Sequence, residues 1–335
     1  MKFYSTLITF ILFASCSSKM TESANAVYAN MSKNISNTYI HKESPSFLSK
    51  IIPVGYRIIS SDSKIENNKF NNTKFQIPSQ MTRKFIVNTQ LLDGKKIYTI
   101  SPKKNRNNDR IILYTHGGGY VENIVSFQWK LVEQMVEKTG CTFIVPNYPL
   151  APQSNALITI DFMKILYKKI TKDFPNQKII LMGDSAGGGL ALALSLDIKN
   201  QEGFVKPYKI VLLSPWLDIT QSNQEILAIE KKDKMLKVKN LNFTGKLYAG
   251  TLDTKDYRVS PIYGNLADLS PVSIFAGTND ILFPDAKKLK NLLEENNIIT
   301  HFFEYPSMFH DWMFAPFIRE AKHTNQLISN TITSN

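Results

Sequence analysis

The stretch Lys178-Ile179-Ile180-Leu181-Met182-Gly183-Asp184-Ser185-Ala186-Gly187-Gly188-Gly189-Leu190 changes character in its middle. Its first five residues form a short apolar run, which predicts a buried strand. From Ala186 to Ile198 the composition favours a helix. The junction is Gly-Asp-Ser-Ala-Gly, a GxSxG pattern in the strand–turn–helix setting that lifts a serine hydroxyl clear of a sheet. The flanking glycines permit the sharp turn. Alone the pattern is weak, since ordinary glycine and serine usage produces it by chance in about one chain in ten of this length. A helix entry used only for packing, or an anion site at a helix N-terminus, would read the same way.

Upstream and downstream, the same alternation repeats. Lys84-Phe85-Ile86-Val87 and Lys96-Ile97-Tyr98-Thr99-Ile100, separated by Asp93-Gly94, predict an antiparallel pair. Strands are predicted at Arg110–Tyr114, Cys141–Val145, Ile210–Leu213, Val272–Ala276 and His301–Tyr305, with helices at Trp129–Lys138 and about 158–171. Strand–helix alternation implies right-handed crossovers and a mainly parallel central sheet with helices on both faces. Residues 217–260 interrupt the alternation with a charged, helical-looking insertion, and no internal repeat is present.

His116-Gly117-Gly118-Gly119 follows directly on a predicted strand. Three successive glycines expose backbone N–H groups, the donors that a developing oxyanion needs. A phosphate loop of the Walker type is excluded because no Gly-Lys-Ser/Thr follows. A serine nucleophile in this setting takes its acid and base in the chain order Ser, Asp, His. Asp280, in Gly277-Thr278-Asn279-Asp280, ends a strand. His310, in Phe309-His310-Asp311-Trp312, lies just past the last strand, whereas His41 is in the N-terminal arm, His301 opens a strand and His323 is inside a helix. Asp311 is next to the base, an awkward position from which to face its imidazole, so Asp280 is the better acid. Tyr120 and Trp312 flank these loops, where each either lines a pocket or packs in the core.

The 335 residues suffice for a large core, and 43% hydrophobic with 20% charged residues is ordinary for a globular chain. The net charge of +12 is spread thinly. Its densest runs, Lys103–Arg110 and Glu230–Lys239, lack aromatics for base stacking, which argues against a nucleic-acid partner. Two cysteines, no CxxC and scattered histidines give no support for a metal. Cys141 begins an apolar strand and reads as an inert core thiol.

The N-terminus reads as a targeting segment. Lys2 precedes the uncharged run Phe3–Ala14, too short to span a bilayer and suited to a signal-peptide core. It ends in Leu12-Phe13-Ala14-Ser15-Cys16, which resembles a bacterial lipobox except for Phe13 where leucine is usual. We therefore expect a signal peptide over 1–16, lipidation of Cys16, and an exported, membrane-anchored protein. A plain cleavable signal with an incidental cysteine is the alternative. Residues 17–80 are expected to be a tether and N-terminal cap arm, and 81–335 the catalytic domain with a cap insertion near 217–255.

His116–Gly119, Gly183–Gly188 and the Asp280/His310 tail together resemble the hormone-sensitive-lipase-like family of α/β-hydrolases, which includes bacterial acetyl esterases and arylacetamide deacetylases. The likeness runs from about residue 80 to the C-terminus, and Asn147–Pro152 and Ser260–Tyr263 also match. Asn147, Pro149 and Gln153 depart from the family's charged positions. The resemblance implies an α/β-hydrolase fold with a small helical cap, a serine carboxylesterase acting on short- to medium-chain soluble esters, and no cofactor. It further implies Ser185 as nucleophile, His310 as base, Asp280 as acid, and an oxyanion hole from the N–H groups of Gly118, Gly119 and Ala186. His116 would brace the loop through Gly117. An amidase or deacetylase would use the same triad. A non-catalytic ligand-binding homologue is the remaining alternative, and the family's plant receptors of that kind lack the histidine present here.

Overall fold

The computed structural model describes residues 19–31, 35–59, 74–104, 106–107 and 109–335, with side chains of 55–59 excepted. Nine strands form one sheet in the order β1-β9-β8-β7-β6-β4-β5-β3-β2. They are β1 (Asn37–Ile40), β2 (Phe85–Leu92), β3 (Lys95–Pro102), β4 (Arg110–Thr115), β5 (Thr142–Pro146), β6 (Lys178–Asp184), β7 (Lys209–Leu213), β8 (Val272–Gly277) and β9 (Thr300–Tyr305). All neighbours from β1 to β5 in that order are parallel, while β3 pairs antiparallel with β5 and with β2. The mainly parallel sheet expected from the alternation is the one observed.

The helices are α1 (residues 19–30), α2 (Phe47–Ile59), α3 (Ser79–Lys84), α4 (Ser126–Thr139), α5 (Ala156–Asp173), α6 (Ser185–Ile198), α7 (Ile226–Glu230), α8 (Val238–Ala249), α9 (Phe283–Glu295) and α10 (Arg319–Thr333). Side chains alternate across each central strand and divide the core in two. Ile111, Leu113, Ile179 and Leu181 face α5, α6 and α9, while Ile112, Tyr114, Ile180 and Met182 face α1, α4 and α10. Because both faces are covered, the strands read as unbroken apolar runs, as parallel strands should. Helix α6 is buried on nearly every side, so its sequence carries no amphipathic stripe.

A tether does not describe all of 17–80. Residues 19–30 are helical and place Ala24, Tyr28 and Met31 in the core against α10. Residues 37–40 add a parallel edge strand to β9. Four residues with alternating partial burial are too short for periodicity to reveal. The expected cap insertion contains α7 and α8. Signal peptide and Cys16 lie outside the described residues, as do residues 60–73 of the arm.

Candidate active site

Strands β4, β6, β8 and β9 run parallel, so the loops at their C-terminal ends share one edge of the sheet, where α/β proteins place their ligands. Those four loops carry His116–Gly119, Ser185, Asp280 and His310.

Ser185 has φ of 50° at the junction of β6 and α6. A serine in the left-handed region is strained, and here the surrounding packing fixes it. A Cβ on Gly183 would run into the Gly187 carbonyl oxygen, and one on Gly187 into that of Thr115. The two glycines thus let the elbow close against itself and against β4. The N–H of Ala186 belongs to the first turn of α6, where no intrahelical acceptor exists, so it remains available to a ligand.

Gly118 and Gly119 have φ of 122° and 60°. At Gly118 a Cβ would also stand 2.6 Å from the Glu122 carbonyl oxygen, so conformation and space both demand glycine. Three contacts hold this loop from beneath. Fully buried His116 bonds through Nδ1 to the Gly117 carbonyl at 2.8 Å and stacks on Tyr148 with ring centroids 4.5 Å apart. The Tyr148 hydroxyl donates to the His116 carbonyl at 2.5 Å. Burial lowers the His116 pKa to about 4, so at neutral pH Nδ1–H donates to Gly117 from an uncharged ring. The third contact is Asp184, which accepts the Gly117 N–H at 3.0 Å.

Sequence reasoning assigned Asp184 no role beyond its place in the motif. Its fully buried carboxylate accepts from Tyr114 Oη at 2.5 Å and Gln128 Nε2 at 2.8 Å as well as from Gly117. Burial, reinforced by Asp311, raises its pKa to about 7 against these hydrogen bonds. One side chain therefore ties the elbow, the glycine loop and α4 together.

The structure brings Asp280 and His310 into contact, with Asp280 Oδ2 2.7 Å from His310 Nδ1. The other Asp280 oxygen accepts the Leu282 N–H at 2.9 Å, which orients the carboxylate. Behind it, Asp233 accepts from the N–H groups of Ile281, Met235 and Leu236 at 2.7–2.9 Å. Asp233 comes from the insertion after α7, so that insertion is anchored to the Asp280 loop. Nothing in its lysine-rich sequence signals that role.

Asp311 also reaches the imidazole, from the other side: its Oδ2 is 3.1 Å from Nε2. Adjacency had argued against any contact, but Asp311 adopts φ of 54° and its N–H donates to Ser214 Oγ at 3.2 Å. That left-handed turn swings the carboxylate back over the ring. Burial pushes the His310 pKa down, yet Asp280 and then Asp311 outweigh it, leaving the group well above its ordinary value. Burial raises Asp311 itself, and His310 opposes the rise.

Tyr120 and Trp312 resolve differently. Trp312 is a core residue, packed 5.0 Å from Tyr305 with its Nε1 donating to Thr324 Oγ1 at 2.9 Å. Tyr120 follows the glycine loop and stacks on Tyr248 of α8 at 3.7 Å, with Trp216 5.5 Å away. No cluster of three His, Cys, Asp or Glu side chains suited to a metal occurs among the described residues.

Residues 112–314 match the family described as alpha/beta hydrolase fold. An esterase of Acinetobacter venetianus is 30% identical over 228 residues, covering 67% of this chain and 75% of its own. An acetyl-hydrolase of Streptomyces hygroscopicus is 26% identical over 219 residues, covering 65% and 73%. A solved Staphylococcus aureus structure superposes with a TM-score of 0.75 at 28% identity, over 84% of this chain and 96% of that one. The chain belongs to the α/β-hydrolase fold family, in its hormone-sensitive-lipase-like branch. It is a hydrolase acting on carboxylic esters.

Proposed function

We propose that the protein hydrolyses soluble short- to medium-chain esters through an acyl-enzyme on Ser185. The observation that carries this reading is the 2.7 Å Asp280–His310 contact on the loops beside a strained elbow serine. Asp280 holds the Nδ1–H tautomer, which leaves Nε2 as the base that takes the Ser185 proton as its oxygen attacks the carbonyl. The oxyanion that forms accepts from the N–H groups of Gly118, Gly119 and Ala186. His310 then returns the proton to the leaving alcohol, and water releases the acyl group by the same base. The short-chain preference is supported by Tyr120, Tyr248 and Trp216, whose fully buried rings fill the space beside the glycine loop and α6. The assigning experiment is labelling with an organophosphate fluorophosphonate followed by mass spectrometry. Adduct on the Ser185 peptide, with none in Ser185→Ala, is expected; an adduct on another residue overturns the assignment.

The second part of the proposal is export with a lipid on Cys16, resting on the apolar run Phe3–Ala14 and the Ala14-Ser15-Cys16 junction. Cys16→Ser should abolish incorporation of labelled fatty acid in a bacterial host and move the protein out of the membrane fraction. Absence of label from the wild type would leave plain secretion.

A further inference from the structure

Helix α2 carries apolar residues on its outer face as well as its inner one. Phe47, Leu48, Ile51 and Val54 are 76, 48, 45 and 47% exposed. At helical spacing these positions share one face. The face turned to the protein carries buried Ser49 and Pro53 and half-buried Ile52, which packs against the core. The helix is not loosely held, because Ser46 donates from its N–H and Oγ to the two Glu320 oxygens at 2.5 and 2.9 Å. Arg319 adds a bond to the Ser44 carbonyl. An apolar stripe fixed facing outward, on a segment pinned to the body, needs a surface to cover it.

Its place in the fold says which surface. Strand β1 runs parallel to β9, so Ile40 emerges at the same edge as His310, and Glu320 lies at the start of α10 just beyond that loop. Phe127, in the first turn of α4, and Phe317, just before α10, are 59 and 55% exposed at that edge. The apolar stripe thus flanks the end of the sheet that holds Ser185.

Charge and chain direction select the occupant. Lys50 is exposed on α2, no described residue of the helix is acidic, and the whole chain carries +12. Apolar residues on one face with cations beside them are what an interfacial helix presents to anionic lipid. Helix α1 runs in the same direction as α10, with Asn25 bonded to Gln326 and Asn330 and Tyr28 to Ser334. Its first residue, Lys19, therefore points toward the start of α10, where α2 is pinned. Cys16, the expected lipidated residue, is three positions before Lys19. Among the described residues no helix is long and apolar enough to cross a membrane.

We propose that α2 docks on an anionic lipid surface, turning the Ser185 end of the sheet toward it. This deepens the esterase reading only by orienting its site; the docking itself does not depend on catalysis or on lipidation. The test uses the full chain carrying Cys16→Ser, so that no lipid is attached and the other cysteine, Cys141, is buried. Ile51→Cys in this background, labelled with an environment-sensitive fluorophore, should show a blue shift when vesicles of phosphatidylcholine and phosphatidylglycerol are added, and much less with phosphatidylcholine alone. A label at Val205→Cys, an exposed site at the opposite edge of the sheet, should not shift. Phe47→Ser/Ile51→Ser/Val54→Ser should weaken vesicle partitioning at least about tenfold, since three apolar side chains leave the interface together. The far-UV spectrum of that variant should match wild type. No shift at position 51 with anionic vesicles, or partitioning unchanged in the triple variant, overturns the proposal. A shift that depends on protein concentration without vesicles overturns it in favour of a second copy of the chain.

Discussion

Asp311 Oδ2 stands 3.1 Å from His310 Nε2, on the opposite side of the ring from Asp280 Oδ2 at 2.7 Å from Nδ1. The two carboxylates have different consequences in the proposed mechanism, where Nδ1 keeps its proton and Nε2 is free to gain one. Asp280 favours the working tautomer. Asp311 favours a proton on Nε2, the state in which His310 cannot act as a base. Both stabilise the imidazolium, which is why His310 titrates well above its ordinary value despite burial.

The sign of the pH effect follows. Only neutral His310 accepts the serine proton, so a raised pKa moves the rising limb of kcat/KM toward alkaline pH. Removing one carboxylate lowers that pKa. Asp311→Asn should therefore shift the rising limb to lower pH, with plateau turnover within about tenfold of wild type. Asp280→Asn should reverse the tautomer preference and cost about 10⁴-fold in turnover at any pH. A pH series of p-nitrophenyl acetate hydrolysis on both variants checks this. If Asp311→Asn is the more damaging, the roles of the two acids are interchanged.

Asp184→Asn tests the link between elbow and glycine loop. The change keeps the volume and one oxygen but brings an NH₂ group among three donors, Tyr114 Oη, Gln128 Nε2 and Gly117 N–H. A buried donor left facing donors costs about 1–3 kcal/mol. The thermal midpoint should fall by several degrees. Turnover should fall more than KM rises, because the donors proposed at Gly118 and Gly119 would act mainly on the transition state. Equal stability and turnover to wild type would remove Asp184 from this account.

The cap can be tested through Asp233. Asp233→Ala leaves the N–H groups of Ile281, Met235 and Leu236 without their acceptor. The Asp280 loop and the start of α8 then lose a shared anchor. We expect faster proteolytic nicking near residues 231–240 and a turnover loss of about ten- to a hundredfold, from the cost that small misplacements impose at a reacting centre. Limited proteolysis beside kinetics on the same preparation separates the two effects.

What the sequence revealed and what it hid have physical causes. The gathering of Ser185, His116–Gly119, Asp280 and His310 at one edge was legible because each follows an apolar strand, and a parallel sheet brings strand ends together. Asp184 was visible only as a motif position, since its partners Tyr114 and Gln128 lie 70 and 56 residues away. The Asp311 contact was hidden because it depends on a left-handed backbone at a non-glycine residue. Asp233 was hidden by the lysines around it. Helix α2 was not distinguished within the arm of 17–80, because an apolar stripe in sequence does not say whether it faces the core or solvent.

The last prediction concerns acyl length. Tyr120 and Tyr248 lie nearly parallel, 4° apart in plane, and Trp216 closes the group; none is more than 1% exposed. A Cβ on Gly189 of α6 would stand 2.6 Å from Tyr120 Oη, so these rings leave no spare room against α6. An acyl chain gains about 0.8 kcal/mol per methylene while it fits and meets strain once it does not. Wild type should therefore favour soluble esters of roughly two to eight acyl carbons, with rates declining beyond that range. Tyr248→Ala removes a ring that α8 lends to this wall. It should lower stability by about 3–5 kcal/mol, as large aromatic truncations do, and move the optimum to longer chains if the vacated space joins the site. The measurement is kcat/KM across p-nitrophenyl esters below their solubility limits, on wild type and Tyr248→Ala. A wild-type maximum near sixteen carbons, or a jump in rate once the substrate forms an emulsion, would show a lipase and refute the short-chain assignment. That outcome would leave the vesicle docking of α2 untouched, since docking is read from a fluorophore and not from turnover.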